Sequence, residues 1–263
     1  MIYLKTIEDI ELLRSANHLL GRTLAEVARH VKSGVSTLQL DRIANEYICD
    51  NGASPAFLGY GENAFPNTLC TSVNDVVAHG IPSEKTILKD GDLISIDCGV
   101  FLDGFFADSA YTFSVGPIDE KLLKLMKTTR KSLSEGISFA KKGNRVGDIS
   151  SAIQSYCETN GFSVVRELVG HGIGKNLHED PDVPNYGKEG TGVLLREGLC
   201  LCIEPMVNVG KKRILFDRDG WSVRTADGMQ SAHYEHCILI TKGEPEVLSS
   251  FEYIDEVLRV NGN

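Results

Sequence analysis

The stretch LISIDCGVFLDGFFADSAYTFSV, residues 93–115, decides how this chain folds. Its two ends, Leu93 to Cys98 and Tyr111 to Val115, are apolar strand-like runs, and between them stands Asp103-Gly104. That dipeptide suits a two-residue hairpin, whose turn positions need positive φ. If the chain closes there, residues whose numbers sum to 207 face each other, so Asp97 lies opposite Ala110 and Asp108 opposite Gly99. Side chains alternate along a strand, so Asp97 and Gly99 share a face and the two carboxylates point the same way as diagonal neighbours. Taken singly, each aspartate reads more readily as a turn or cap residue.

Outward from the hairpin, Thr6 followed by Glu8 and Asp9 starts a helix, with Ile7, Ile10, Leu13, Leu20, Leu24, Val27 and Val31 at helical spacing until Gly34. A second helix fits Thr37 to Asn51, stopped by Gly52. Two more fit Asp119 to Ala140 and Val146 to Asn160. Strand-like runs cover Phe162 to Val169, Leu199 to Glu204, Ser222 to Thr225 and Glu235 to Thr241. Gly34 and Gly52 are spaced as Gly143 and Gly161 are; at that offset Tyr47 meets Tyr156, Asn51 meets Asn160, Leu24 meets Leu133 and Lys32 meets Lys141. The expectation is an α+β fold of two pseudo-symmetric halves, about 1–115 and 116–250. They share a sheet with a site near the pseudo-twofold axis, and 1–263 forms a single domain.

Composition narrows the function. With 27 basic against 36 acidic residues the net charge is −9, which opposes binding a nucleic-acid backbone over the whole surface, so no DNA partner is expected. The basic clusters Lys141-Lys142 with Arg145 and Lys211-Lys212-Arg213 read as solvated turns. The opening residues lack a signal-peptide pattern, and no apolar run approaches the roughly 18 residues of a membrane span, which points to the cytoplasm. The cysteines at 49, 70, 98, 157, 200, 202 and 237 are odd in number and lack a C-x-x-C pair, as expected of reduced thiols.

Several catalytic patterns are absent. There is no G-x-S-x-G elbow and no Walker loop; His178-Glu179 begins like a zincin helix, but Asp182 takes the place of the second histidine and Pro181 breaks the helix. What remains is a set of acids and an imidazole at the ends of apolar strands: Asp97, Asp108, Glu204 held extended by Pro205, Glu235, and His171 in Gly170-His171-Gly172. Four carboxylates converging without a cation repel one another, whereas two divalent ions between them make the same cluster favourable. A lone histidine is more often a satisfied core residue.

Asn74-x-x-x-x-His79-Gly80-Ile81-Pro82, Asp97 with Asp108, Gly170-His171-Gly172-Ile173-Gly174 with His178, Ile203-Glu204-Pro205-Met206 and His233-Tyr234-Glu235-His236 follow in order over nearly the whole chain. Together they resemble the bacterial type I methionine aminopeptidases. The resemblance implies the pita-bread fold, a curved, mostly antiparallel sheet covered by two pairs of helices. It implies two divalent metal ions (cobalt, manganese, iron or zinc) held by Asp97, Asp108, His171, Glu204 and Glu235. A metal-bridging hydroxide would attack the first peptide carbonyl, with Glu204 accepting and shuttling its proton, His178 stabilising the oxyanion and His79 contacting the scissile nitrogen. Tyr60, Phe65, Cys70 and Trp221, with His79 and His178, would bind the methionine end, and a monovalent cation would sit among carbonyls around Asn74, Val76 and Ser231. The implied substrate is the N-terminal methionine of nascent polypeptides with a small second residue, met by a monomer in transient contact with the ribosome.

Phe57 stands where the family often has cysteine, Leu177 where it often has an aromatic, and Gly61-Glu62-Asn63-Ala64 looks slightly longer than usual. About 25 residues separate His178 from Glu204, too few for the type II insertion, and no N-terminal extension is expected before the core. Two rivals remain: a proline-specific aminopeptidase or prolidase of the same fold, and a peptide- or ribosome-binding module that has lost catalysis.

Overall fold

The computed structural model describes residues 2–260. Its central hairpin has the register dictated by the turn: Leu93–Leu102 pairs with Phe105–Ser114, Asp97 opposite Ala110 and Gly99 opposite Asp108. Asp103 at φ 50° and Gly104 at φ 86° make the tight reversal, which aspartate tolerates and glycine adopts freely. Both strands run further towards the turn than their apolar ends suggest. On the other side of Leu93–Leu102 lie Leu69–Val73 and Ser54–Pro55, also antiparallel.

Helices α1 (Ile7–Ala28), α2 (Thr37–Asp50), α3 (Glu120–Ser138) and α4 (Val146–Thr159) form where the periodicity places them, although α1 ends before Gly34. Thr6 and Asp9 close a capping box on α1, Ser36 and Gln39 another on α2, and Asp119 caps α3 by accepting from the Leu122 amide at 2.8 Å. The two helix pairs match in detail. Gly34, Gly52, Gly143 and Gly161 all have positive φ. Asn51 Nδ2 donates to the Tyr47 carbonyl at 2.8 Å, and Asn160 Nδ2 to that of Tyr156 at 2.8 Å. Isolated bridges join Ser36 to Ile87 and Arg145 to Leu194.

A second sheet of five antiparallel strands runs in the order Glu246–Val247, His236–Leu239, Cys200–Ile203, Val169–Gly172, Glu179–Pro184. The two sheets are stitched together beside the acids. The Glu235 amide donates to the Ala110 carbonyl at 2.9 Å, and Ser109 Oγ donates to the Glu235 carbonyl at 2.7 Å. Behind this seam one apolar cluster joins Leu20 and Leu24 of α1, Ile94, Ile96 and Phe113 of the hairpin, Leu125 of α3, Ile153 of α4, and Leu201 and Ile203. This is the α+β pita-bread arrangement.

Short strands at Ser54–Pro55, Leu69–Val73, Val76–Ala78, Met206–Asn208, Ile214–Phe216 and Ser231–His233 join those expected, and three further departures bear on the fold. The run Phe162 to Val169 is two strands in different sheets: Val164 pairs with Val207, whereas Val169 pairs with Pro184, and the exposed Glu167 lies between. The acidic, proline-containing segment Glu179–Pro184, absent from the expected strands, forms an edge strand, where a missing amide costs no ladder bond. Helix α5 (Glu252–Val260) was not expected; it buries Ile254 and Val257, with Tyr253 so close to Gly21 of α1 that a Cβ there would meet its ring at 3.1 Å.

Candidate metal centre

The interior of the hairpin, where the expected strand end at Asp97 proves to be mid-strand, and three strand ends or links deliver the acids and the imidazole to one place. Asp97 and Asp108 come from the hairpin, His171 from Val169–Gly172, Glu204 from just past Cys200–Ile203, and Glu235 from the link between Ser231–His233 and His236–Leu239. His171 Nε2 is 3.8 Å from Asp108 Oδ2 and 3.8 Å from Glu204 Oε1. One ligand atom each from Asp97, Asp108 and Glu235 lies within 4.8 Å of the others, and the same holds for Glu204, His233 and Glu235 and for His171, Cys202 and Glu235. The Asn185 side-chain amide donates to the Glu204 carbonyl at 3.0 Å and fixes that corner.

Asp108, His171 and Glu235 are buried; Asp97 and Glu204 are slightly more open. Burial pushes the Asp97 carboxyl up to about 7, with the nearby Glu204 charge adding to the rise and His233 opposing it. Asp108 and Glu235 are raised further, first by burial and then by the neighbouring carboxylates. Glu204 behaves differently: burial raises it, but His233, His171 and His178 together hold it below the usual range.

These residues fit divalent ions. Asp97 Oδ1, Asp108 Oδ1 and Glu235 Oε1 are buried without a hydrogen-bond partner, a costly arrangement that a cation relieves. His171 Nδ1 lies 2.8 Å from the Gly172 carbonyl, so it carries the proton and leaves Nε2 bare for a metal.

Above the acids is a cavity of about 240 Å³. Every residue expected at the site lines it: Asp97, Asp108, His171, Glu204, Glu235, His79, His178, Tyr60, Phe65, Cys70 and Trp221. Phe65 and Trp221 meet edge to face at 5.2 Å, and His79 approaches Trp221 at 6.3 Å. His178 meets His171 edge-on, ring centroids 4.2 Å apart, and hydrogen-bonds through Nδ1 to the Tyr60 hydroxyl. Burial, aided by His171, lowers the His178 imidazole to about 4; burial also lowers His79. Phe57 and Leu177 line the cavity as well. Phe57 roofs the acid face of the hairpin, where a Cβ on Gly99 would meet its ring at 2.7 Å, so only glycine fits opposite Asp108.

The residue that sequence reasoning missed is His233. It was visible in the His233-Tyr234-Glu235-His236 run, but nothing in the spacing shows that its side chain turns into the acids. A larger groove of about 700 Å³, lined by His18, Arg22, Arg29 and Tyr253 among others, gathers no such acids.

Residues 11–242 match the model of metallopeptidase family M24. The chain belongs to that family. As an M24 metallopeptidase it binds divalent metal. The chain is 52% identical over 250 residues to a methionine aminopeptidase of Clostridium perfringens, covering 95% of this chain and 99% of the relative. It is 45% identical over 249 residues to the Escherichia coli methionine aminopeptidase, covering 94% of each. The crystal structure of the Rickettsia prowazekii methionine aminopeptidase superimposes with a TM-score of 0.93 at 40% identity, over 95% of this M24 chain and 100% of the other. The Pyrococcus horikoshii prolidase, at 22% identity and a TM-score of 0.77 over 95% of this chain and 64% of its own, shares the fold alone.

Proposed function

We propose that this chain removes the N-terminal methionine from polypeptides whose second residue is small, using two divalent ions held by Asp97, Asp108, His171, Glu204 and Glu235. The observation that carries this reading is the convergence of partnerless buried carboxylate oxygens on the floor of a cavity whose walls are aromatic and soft. Bound there, divalent ions supply a nucleophilic hydroxide at neutral pH and polarise the carbonyl.

The chain's own groups do the rest. Glu204, held below the usual carboxylate range, stays ionised and accepts the proton of the attacking water. Tyr60, whose phenol is raised first by burial, keeps its proton and donates to His178 Nδ1. The neutral His178 therefore carries its proton on Nε2 and donates it to the oxyanion as charge grows. His79, neutral through burial, contacts the scissile nitrogen. Tyr60, Phe65, Cys70 and Trp221 receive the methionine side chain; burial pushes the Cys70 thiol well up, so it remains a soft, uncharged wall. A charged first residue would be buried without a partner, at a cost of several kcal/mol.

Nitrogen and oxygen ligands accept manganese, iron, cobalt or zinc, so availability selects the metal. A monovalent cation belongs to the same reading: the Asn74 carbonyl, on a residue at φ 55°, already meets the Ser231 amide at 2.9 Å, and Val76 follows two residues on. So do a monomeric enzyme, a cytoplasmic setting and brief contact with the ribosome; no helix among the described residues is long and apolar enough to cross a membrane.

The test is release of methionine from Met-Ala, Met-Gly, Met-Ile and Met-Arg peptides beside release of alanine from Ala-Pro-Ala, each with added metal and with chelator. Metal-dependent cleavage of Met-Ala and Met-Gly is expected. Preference for Ala-Pro-Ala, or equal cleavage of all four methionyl peptides, would replace this reading with a proline-specific or broad aminopeptidase.

A further inference from the structure

His233 closes the Ser231–His233 strand, is 2% exposed, and turns its Nε2 to within 3.4 Å of Glu204 Oε2. As placed, this is a close approach and not a formed hydrogen bond, and Nε2 is buried with no other hydrogen-bond partner. The backbone that carries it is fixed: the His233 amide donates to Thr112 Oγ1 at 2.9 Å, Thr112 Oγ1 donates to the His233 carbonyl at 2.7 Å, and the Tyr234 hydroxyl donates to the Thr112 carbonyl at 3.0 Å.

The two oxygens of Glu204 face two different imidazoles. Oε1 lies 3.8 Å from His171 Nε2, which is bare because the ring carries its proton on Nδ1 and donates from there to the Gly172 carbonyl. Two lone-pair atoms facing one another at that separation suit a cation between them, so Oε1 is the metal-facing oxygen. Oε2 faces His233 Nε2, where a bare nitrogen would repel the carboxylate and a protonated one attracts it.

We propose that His233 is a positioning residue: its Nε2–H donates to Glu204 Oε2 and holds that carboxylate with Oε1 turned to the metal it shares with His171. The inference rests on the metallopeptidase reading above and deepens it. Direct ligation by His233, whose Nε2 lies within 4.8 Å of ligand atoms of Glu204 and Glu235, is the competing role.

Three variants decide it: His233→Gln, which keeps an N–H donor, His233→Ala, and His233→Leu, which fills the space should the Ala cavity unfold the sheet. Each is followed by circular dichroism, calorimetric metal titration, the visible spectrum of the cobalt-loaded protein, and kcat and KM on Met-Ala-Ser. Loss of a partner that orients a metal ligand costs about 10- to 100-fold in affinity or activity. We expect losses in that range in the affinity and kcat of the Ala or Leu variant, with KM nearly unchanged and most of both recovered in His233→Gln. Unchanged affinity and kcat in a folded Ala or Leu variant overturns the proposal. If Gln behaves like Ala and both change the cobalt spectrum, the imidazole is itself a ligand and the donor role is overturned. Wild-type protein that binds no divalent ion at all would overturn the metallopeptidase reading, and this proposal with it.

Discussion

The floor and the mouth of the cavity are built on opposite terms. The floor carries Asp97 and Asp108 inside the hairpin and Glu204, Glu235 and His171 at strand ends and seams, charged or ready to be charged, and fixed by backbone bonds such as Glu235 to Ala110. The mouth carries neutral groups on loops: Tyr60 between Gly59 and Gly61, both at positive φ, His79 at φ 55°, and Trp221 against Phe65. The floor should answer first to changes of charge, the mouth to changes of shape. Metal holding should thus be separable from recognition of the methionine side chain, and perturbing each region should leave the other's readout intact.

The largest effect is expected from Glu204→Gln, which keeps the volume and removes the charge. Turnover should fall on the order of 100-fold or more while the circular dichroism spectrum is unchanged. Near-normal methionine release would break the assignment of chemistry to the floor.

Next in size is metal removal. Metal that binds only the folded state, at a free concentration about 100 times its dissociation constant, stabilises by about 2.7 kcal/mol. The effect should depend on pH. In the metal-free fold, Asp97 at about 7 and the raised Asp108 and Glu235 hold protons that the unfolded chain has lost. Their contribution to stability is therefore full below the ordinary carboxylate range and is lost as pH rises through about 7. Metal displaces the same protons and binds more tightly above 7. The gain in Tm on adding metal should thus grow between pH 6 and pH 8; a gain that is equal at both would show that these carboxyls are not the ones displaced.

At the mouth, Trp221→Ala removes most of one wall. Burying a large apolar side chain is worth about 1.5–3 kcal/mol, so kcat/KM on Met-Ala-Ser should drop by roughly 10-fold or more. The loss should fall on KM, with calorimetric metal affinity unchanged. A fall in metal affinity would mean that floor and mouth are not separable.

The smallest effect is expected from Tyr60→Phe, which leaves His178 Nδ1 without its donor while keeping the ring. One neutral hydrogen bond is worth about 0.5–1.5 kcal/mol, so kcat should fall by only a few-fold. A loss as large as that of Glu204→Gln would promote Tyr60 from the mouth to the chemistry.

How much could be read beforehand follows the range of the forces involved. The hairpin register was legible because Asp103-Gly104 fixes it locally, and with it the shared direction of Asp97 and Asp108. Helix starts were legible for the same reason: Thr6 and Asp119 cap within three residues of themselves. The candidate ligands stood out as acids ending apolar strands, a placement that packing alone does not favour. Glu179–Pro184 was illegible because its prolines are acceptable only at a sheet edge, and whether a strand is an edge is a non-local fact.

By itself, then, the sequence determined the local geometry, the repeat linking Gly34 and Gly52 to Gly143 and Gly161, and the identity of the acids, since caps, turns and periodicity act over a few residues. Tertiary structure alone decided which side chains share the cavity. It divided Val164 and Val169 between two sheets, laid α5 on α1 and closed Phe57 over Gly99. It also turned His233 onto Glu204. Each of these depends on what lies across from a residue once the sheets meet, and the energy of burying a polar atom is set by that partner, not by its neighbours in the chain.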